Sequence, residues 1–226
     1  MEQVVIIGGG YSVNEGIQKG LWSKLEGKEV WSLNSVYKIM PYLPTRQLWV
    51  DIDFWNHEID NMQNLFLKGV ELITKDYHRI AGLKAQITQY GTCRDLKDWK
   101  GQESLDSNMV FTGRMGLVGA FALGVAILRK YKKIYLLGYD FGSQSLDIHN
   151  THFYQNRIAE LNIMSLGAAR PEVYRLPDGS LREEIVDWQA YESGFGSQIS
   201  NVSLISNLPY FPKISYEQFF EELERN

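Results

Sequence analysis

Cysteine occurs once, at Cys93, so no intrachain disulfide can form, no zinc site can rest on thiolates, and a reducing compartment is expected. Long apolar runs are also missing. The longest, Met115 to Leu128, is too short to span a bilayer and is interrupted by Gly116, Gly119 and Gly124, so it reads as a buried helix. No basic and apolar leader precedes the first strand, and a cytoplasmic protein without a membrane span is expected. Charge of one sign is not in excess: a net charge of -4 gives no general attraction to nucleic acid or anionic membranes. No GKS or GKT occurs, which excludes a P-loop, and a complete GxGxxG fingerprint would need a glycine at Val13. Internal repeats and low-complexity linkers are absent. What remains is ordinary globular composition, 44% hydrophobic and 22% charged, with 13% aromatic residues to line a cleft. One domain over residues 1–226 is expected, with a lid or insertion around 75–108 and 142–182.

The chain is organised around Val4-Val5-Ile6-Ile7-Gly8-Gly9-Gly10-Tyr11-Ser12. A short β-branched run that breaks into glycines reads as a buried parallel strand followed by a tight turn, where a backbone without Cβ atoms lets a ligand approach. Apolar residues at Val13, Ile17, Leu21, Trp22 and Leu25 predict one amphipathic helix closed by Gly27, whose start would suit a phosphate. A tight turn with no ligand is the alternative. Further strands are expected at Glu29–Leu33, Gln47–Val50, Gly69–Thr74, Lys133–Leu137 and Val202–Ser206. Helices are expected at 112–130, leading up to Leu166, at 183–191 and at 215–223, the last with Ser215 and Gln218 as a capping box. A hairpin or loop is expected over 167–182, where Pro171, Pro177 and Asp178-Gly179 are turn signals. The pattern predicts a Rossmann-like α/β fold: an open, mostly parallel sheet with helices on both faces. In such sheets ligands sit outside the carboxyl ends of the strands, so Ser12, Asn34, Asp51 and Asp53 converge on one expected crevice, with Gly138-Tyr139-Asp140-Phe141-Gly142 a second edge.

Individual residue types allow two readings each. Asn34 offers a donor and an acceptor for ribose or base, or is simply a turn residue. Thr112, with Gly113, caps the following helix, binds phosphate there, or both. Asp51 and Asp53, two apart, place carboxylates on one side of a strand or turn, where they could hold Mg²⁺ or Mn²⁺ against a diphosphate, or serve as loop residues. His149 and His152 suit a general base, and Tyr139 and Tyr154 suit charge stabilisation on a leaving phosphate, against the alternative of hydrogen-bonded loop residues. The two histidines could also bind a metal, though no third ligand is evident. Asp140 either orients one of these groups or caps its loop.

Ile6-Ile7-Gly8-Gly9-Gly10-Tyr11-Ser12, Ser32-Leu33-Asn34, Phe111-Thr112-Gly113 and Lys133 through Phe141 together resemble the bacterial CMP-sialic-acid-dependent sialyltransferases. The set is also similar to the related group of archaeal 6-hydroxymethylpterin pyrophosphokinases and flagellin-modifying motility accessory factors. The resemblance implies a nucleotide site from Gly8, Gly10, Ser12, Asn34, Thr112 and Gly113, with Gly9 and Tyr11 departing from the asparagine and proline usual there. It also implies a histidine base, His152 or His149, working with two tyrosines without metal. The expected activity is transfer of a sugar from a nucleotide-activated donor, CMP- or UDP-linked, to an acceptor hydroxyl of unspecified class. A Mg²⁺-dependent pyrophosphokinase or other phosphotransferase, and a non-catalytic nucleotide-binding protein, are the alternatives, and homo-oligomerisation is left open.

Overall fold

A computed structural model of the chain describes residues 2–76, 87–93, 108–112, 117–141, 178, 180 and 187–225. The first strand, β1 (Gln3–Ile7), is followed by α1 (Val13–Gln18), α2 (Leu21–Leu25), β2 (Val30–Leu33), a 3-10 turn (Asn34–Ile39), β3 (Arg46–Trp49) and α3 (Ile52–Leu67). Then come β4 (Glu71–Lys75), β5 (Ile87–Cys93), β6 (Met109–Phe111), α4 (Val118–Leu128) and β7 (Lys133–Leu137). After 3-10 turns at Asp187–Tyr191 and Gly194–Gly196, β8 (Gln198–Asn201) and α5 (Tyr216–Glu224) complete the described elements. The eight strands form one sheet in the order β6-β5-β4-β3-β2-β1-β7-β8. Every pairing is parallel. The Rossmann-like α/β architecture expected from the pattern is present.

Parallel strands need crossovers on the sheet faces, and β1 shows where they lie. Val4 and Ile6 point to one face, where they join α4, Trp31, Leu48 and Ile73. Val5 and Ile7 point to the other, where they meet Val13, Leu21 and Leu25 of the first helices and Tyr216 and Phe219 of α5. Further along that second face α3 buries Trp55, Met62 and Leu65 against Trp49 and Leu72. A helix that is apolar all round must be enclosed, and α4 is buried from Ala120 to Ile127.

Residues of β6 and of the 3-10 turn at Asp187–Tyr191 help enclose α4, since Val110, Phe111, Trp188 and Tyr191 join its core cluster. Strand β5 pairs with β4 through Ile87–Tyr90 and with β6 through Gly91–Cys93. Phe111 of β6 lies beside Tyr191, and the Tyr191 hydroxyl donates to the Phe111 carbonyl.

Several sequence expectations need correction. Gly20, at φ +84, splits the single helix expected over Val13–Leu25 into two. The last strand is Gln198–Asn201 rather than Val202–Ser206, and the expected helix at 183–191 is a 3-10 turn where it is described. Strands β5 and β6 and the 16-residue helix α3 were not anticipated. The Ser215–Gln218 capping box is present as expected, with Gln218 N donating to Ser215 Oγ and Ser215 N to Gln218 Oε1. The helix leading to Leu166 and almost all of the 167–182 loop lie outside the described residues.

Candidate functional site

Chain order reverses between β1 and β7: crossovers lead from β1 outward to β2 on one side, and the chain returns from β6 through α4 to β7 on the other. In open α/β sheets ligands bind outside the carboxyl ends of the strands at such a switch point. The loops that follow β1 and β7 meet there glycine to glycine. Gly8 N donates to Leu137 O at 2.8 Å and Gly10 N to Gly138 O at 2.9 Å. A Cβ on Gly10 would lie 2.6 Å from both Gly138 O and Asp140 Oδ2, so this glycine is required by the neighbouring loop. Gly138, at φ +70, faces Gly8 O and Gly10 N in the same way.

The start of α1 is filled by the protein itself. Asp140, 5% exposed, accepts from Ser12 N at 2.7 Å and from Ser12 Oγ at 2.5 Å. Burial raises its carboxyl above the ordinary value, while the Ser12 hydroxyl and amide and the neighbouring Ser203 hydroxyl pull it down. The amides of Gly10 and Ser12, expected to receive a phosphate, are therefore engaged by Gly138 and Asp140. Gly9 and Tyr11 contribute amides with no partner among the described residues, and the Tyr11 ring is exposed. Asp140 makes the loop-capping contact read for it; three of the groups it was expected to orient, His149, His152 and Tyr154, lie outside the described residues.

Asn34 follows β2 on the adjacent carboxyl end, with a left-handed backbone at φ 49. Its main chain is held in place, because Gln47 Nε2 donates to Asn34 O at 2.8 Å and Ser32 Oγ donates to Gln47 Oε1. Ser32 and Gln47 face each other in register on β2 and β3, both fully buried. Against this ordered surround, Asn34 Oδ1 is buried without any hydrogen bond. A buried acceptor without a partner is uncommon in a folded protein and calls for an explanation; Gln3 Oε1 and Asn201 Oδ1 are further examples here.

Asp51 and Asp53 do not share a strand face. Asp51 is the N-cap of α3 and Asp53 lies in its first turn, so the dipole of that helix is reason enough for two acids there. Both are exposed. Surrounding protein and Asp53 raise the Asp51 carboxyl, and Lys75 at the end of β4 lowers it. Among the described residues no three acidic, histidine or cysteine side chains cluster to hold a metal.

Tyr139 turns into the core. Its hydroxyl donates to Gly119 O at 3.2 Å, its ring packs on Trp188, and burial pushes its ionisation far up, so it does not face the crevice. Thr112 is buried at the end of β6, where its N–H donates to Cys93 O at 3.1 Å, and the N-cap of α4 is Leu117 rather than Thr112. Gly113, His149, His152 and Tyr154 lie outside the described residues.

Sequence reading missed Gln47 and Glu58, which shape the Asn34 turn. Glu58 carried a signal: it is the charged residue within the apolar stripe of Trp55, Ile59 and Met62 on α3.

No family model matches the chain, and no curated protein matches it. Among solved structures it is similar to the MAf glycosyltransferase from Magnetospirillum magneticum AMB-1, at 13% identity and a TM-score of 0.58. The match covers 95% of this chain and 34% of that one, so this chain spans about a third of the length of that protein. No helix among the described residues is long and apolar enough to cross a membrane. At 13% identity the structural likeness shows the fold alone.

Proposed function

We propose that the chain is a glycosyltransferase that binds a nucleotide-activated sugar, CMP- or UDP-linked, across the carboxyl ends of β1, β2 and β7. The observation that carries the reading is Asn34: a constrained left-handed residue beside the switch point whose side-chain oxygen is buried and unpaired. A ribose hydroxyl or a base amino group is the donor such an oxygen lacks. The phosphate would lie over the loop after β1, where the Gly9 and Tyr11 amides remain available, and not on the amides that Asp140 and Gly138 occupy. The fold shared with the MAf glycosyltransferase supports the reaction class.

In the proposed reaction an acceptor oxygen attacks the anomeric carbon, the bond from that carbon to the phosphate oxygen breaks, and the nucleotide leaves with the bonding electrons. The acceptor proton passes to a histidine after β7, for which we propose His152, with His149 the alternative. Asp51 and Asp53 are given no metal in this scheme; the dipole at the start of α3 accounts for two acids there.

The test is a melting-temperature screen of CMP-, UDP- and GDP-sugars and ATP. A ligand at 100 times its dissociation constant adds about 2.7 kcal/mol, which for a domain of this size raises Tm by roughly 5–10 °C. A shift with CMP- or UDP-sugars supports the reading; a shift confined to ATP favours the phosphotransferase alternative.

A further inference from the structure

We infer that Glu58, on the second turn of α3, is a positioning residue that holds Asn34 in the geometry that meets the donor. The inference rests on the proposed role of Asn34. The 3-10 turn Asn34–Ile39 is fastened at both ends. At its start, Gln47 holds the Asn34 carbonyl. At its far end, Tyr37 Oη donates to Glu58 Oε2 at 2.6 Å and Lys38 Nζ donates to Glu58 Oε1 at 2.5 Å. Asn61 Nδ2 adds a third bond to Oε2 at 2.7 Å, so both carboxylate oxygens are engaged.

A carboxylate in the apolar face of a helix is costly, and Glu58 is only 9% exposed. Burial raises its ionisation, but the bonds from Lys38, Tyr37 and Asn61 outweigh that effect and hold it below the ordinary glutamate value. Packing alone would be served better by leucine or methionine at this position, as at Met62 and Leu65 of the same stripe. What the carboxylate adds is direction: it fixes two consecutive residues of the turn, three and four positions after Asn34. A non-glycine residue at positive φ persists when its surroundings over-determine it, and Glu58 supplies the half of that constraint that Gln47 does not.

The test is a double-mutant cycle read by calorimetric titration with CMP and with UDP, each variant first being checked for a cooperative melt. Asn34→Ala is expected to weaken the bound nucleotide about three- to tenfold, the loss of one hydrogen bond. Glu58→Gln should weaken it by a similar factor, and Asn34→Ala in the Glu58→Gln background should then change affinity less than twofold. Tyr37→Phe removes a single bond to Glu58 and should couple to Asn34→Ala in the same sense, which decides the matter if Glu58→Gln does not fold. Independent, multiplicative effects of the two sites would overturn the positioning role while leaving Asn34 in the donor site. Unchanged affinity in Asn34→Ala would instead remove the donor-site reading on which it rests.

Discussion

Replacing Asp140 separates two jobs a buried carboxylate can do. Its two oxygens accept from Ser12 N and Ser12 Oγ, and Ser12 is itself buried, so Asp140→Ala leaves two donors without partner or water. Each such group costs about 1–3 kcal/mol, which makes the expected loss about 2–6 kcal/mol. Asp140→Asn should behave differently. Its carbonyl can accept from Ser12 N, its amide can donate to a rotated Ser12 hydroxyl, and no charge is buried, so a change within about 1 kcal/mol is expected. Urea unfolding at neutral pH, with the slope m unchanged, measures both. The pH dependence supplies a second reading. Because the folded carboxyl sits above its ordinary value of 3.8, ionising it opposes folding. Asp140→Asn should therefore gain stability relative to wild type as pH rises from 3.8 through the raised folded value, and the difference should be flat below that range. If the asparagine variant is as unstable as the alanine variant, the charge itself is required and a cationic partner has to be found. If the alanine variant loses less than about 1 kcal/mol, the contact with Ser12 is incidental.

Gly10→Ala should cost about 1–3 kcal/mol by overpacking, and because the clash is with Asp140 and Gly138, the penalty should shrink in an Asp140→Ala background when both are unfolded in urea. Glu71, bridged to Arg46 and Arg129, has its carboxyl lowered to about 2. Its contribution is present above the ordinary value of 4.5 and lost as pH falls through that range toward about 2. Glu71→Gln should thus cost roughly 1–2 kcal/mol at pH 7, after allowing for solvent screening, with the difference vanishing in strong acid. Excess EDTA should leave donor binding and turnover unchanged; loss of turnover restored by Mg²⁺ or Mn²⁺ would return Asp51 and Asp53 to a metal-binding role.

The strands of the sheet centre were legible because they are buried on both faces, which writes continuous apolar runs such as Val4–Ile7 and Ile134–Leu137 into the chain. Strand β5 was not. Its buried positions are Ile87, Tyr90 and Cys93, every third residue, its first half pairing with β4 and its second with β6, and no alternation survives. Helix α3 was hidden by its opening Asp-Ile-Asp, read as a loop, although Trp55, Ile59, Met62 and Phe66 keep helical spacing. In the site, sequence located Gly8, Gly10, Ser12, Asn34 and Asp140 at strand ends. It could not tell that Asp140 would occupy the amide that a phosphate was expected to take, since that depends on contact between residues 128 apart. For the same reason Tyr139, next to Asp140 in sequence, gave no sign that it turns into the core.

The most direct measurement of the central claim is incubation with CMP- and UDP-sugars, with products followed by mass spectrometry in wild type and in Asn34→Ala. The account predicts release of CMP or UDP with the sugar moved to an acceptor hydroxyl or, in its absence, to water, and a lower rate in Asn34→Ala at subsaturating donor. Tight nucleotide binding without sugar release would contradict the account and favour a binding protein. Cleavage of ATP with transfer of its phosphates would contradict it in favour of a pyrophosphokinase.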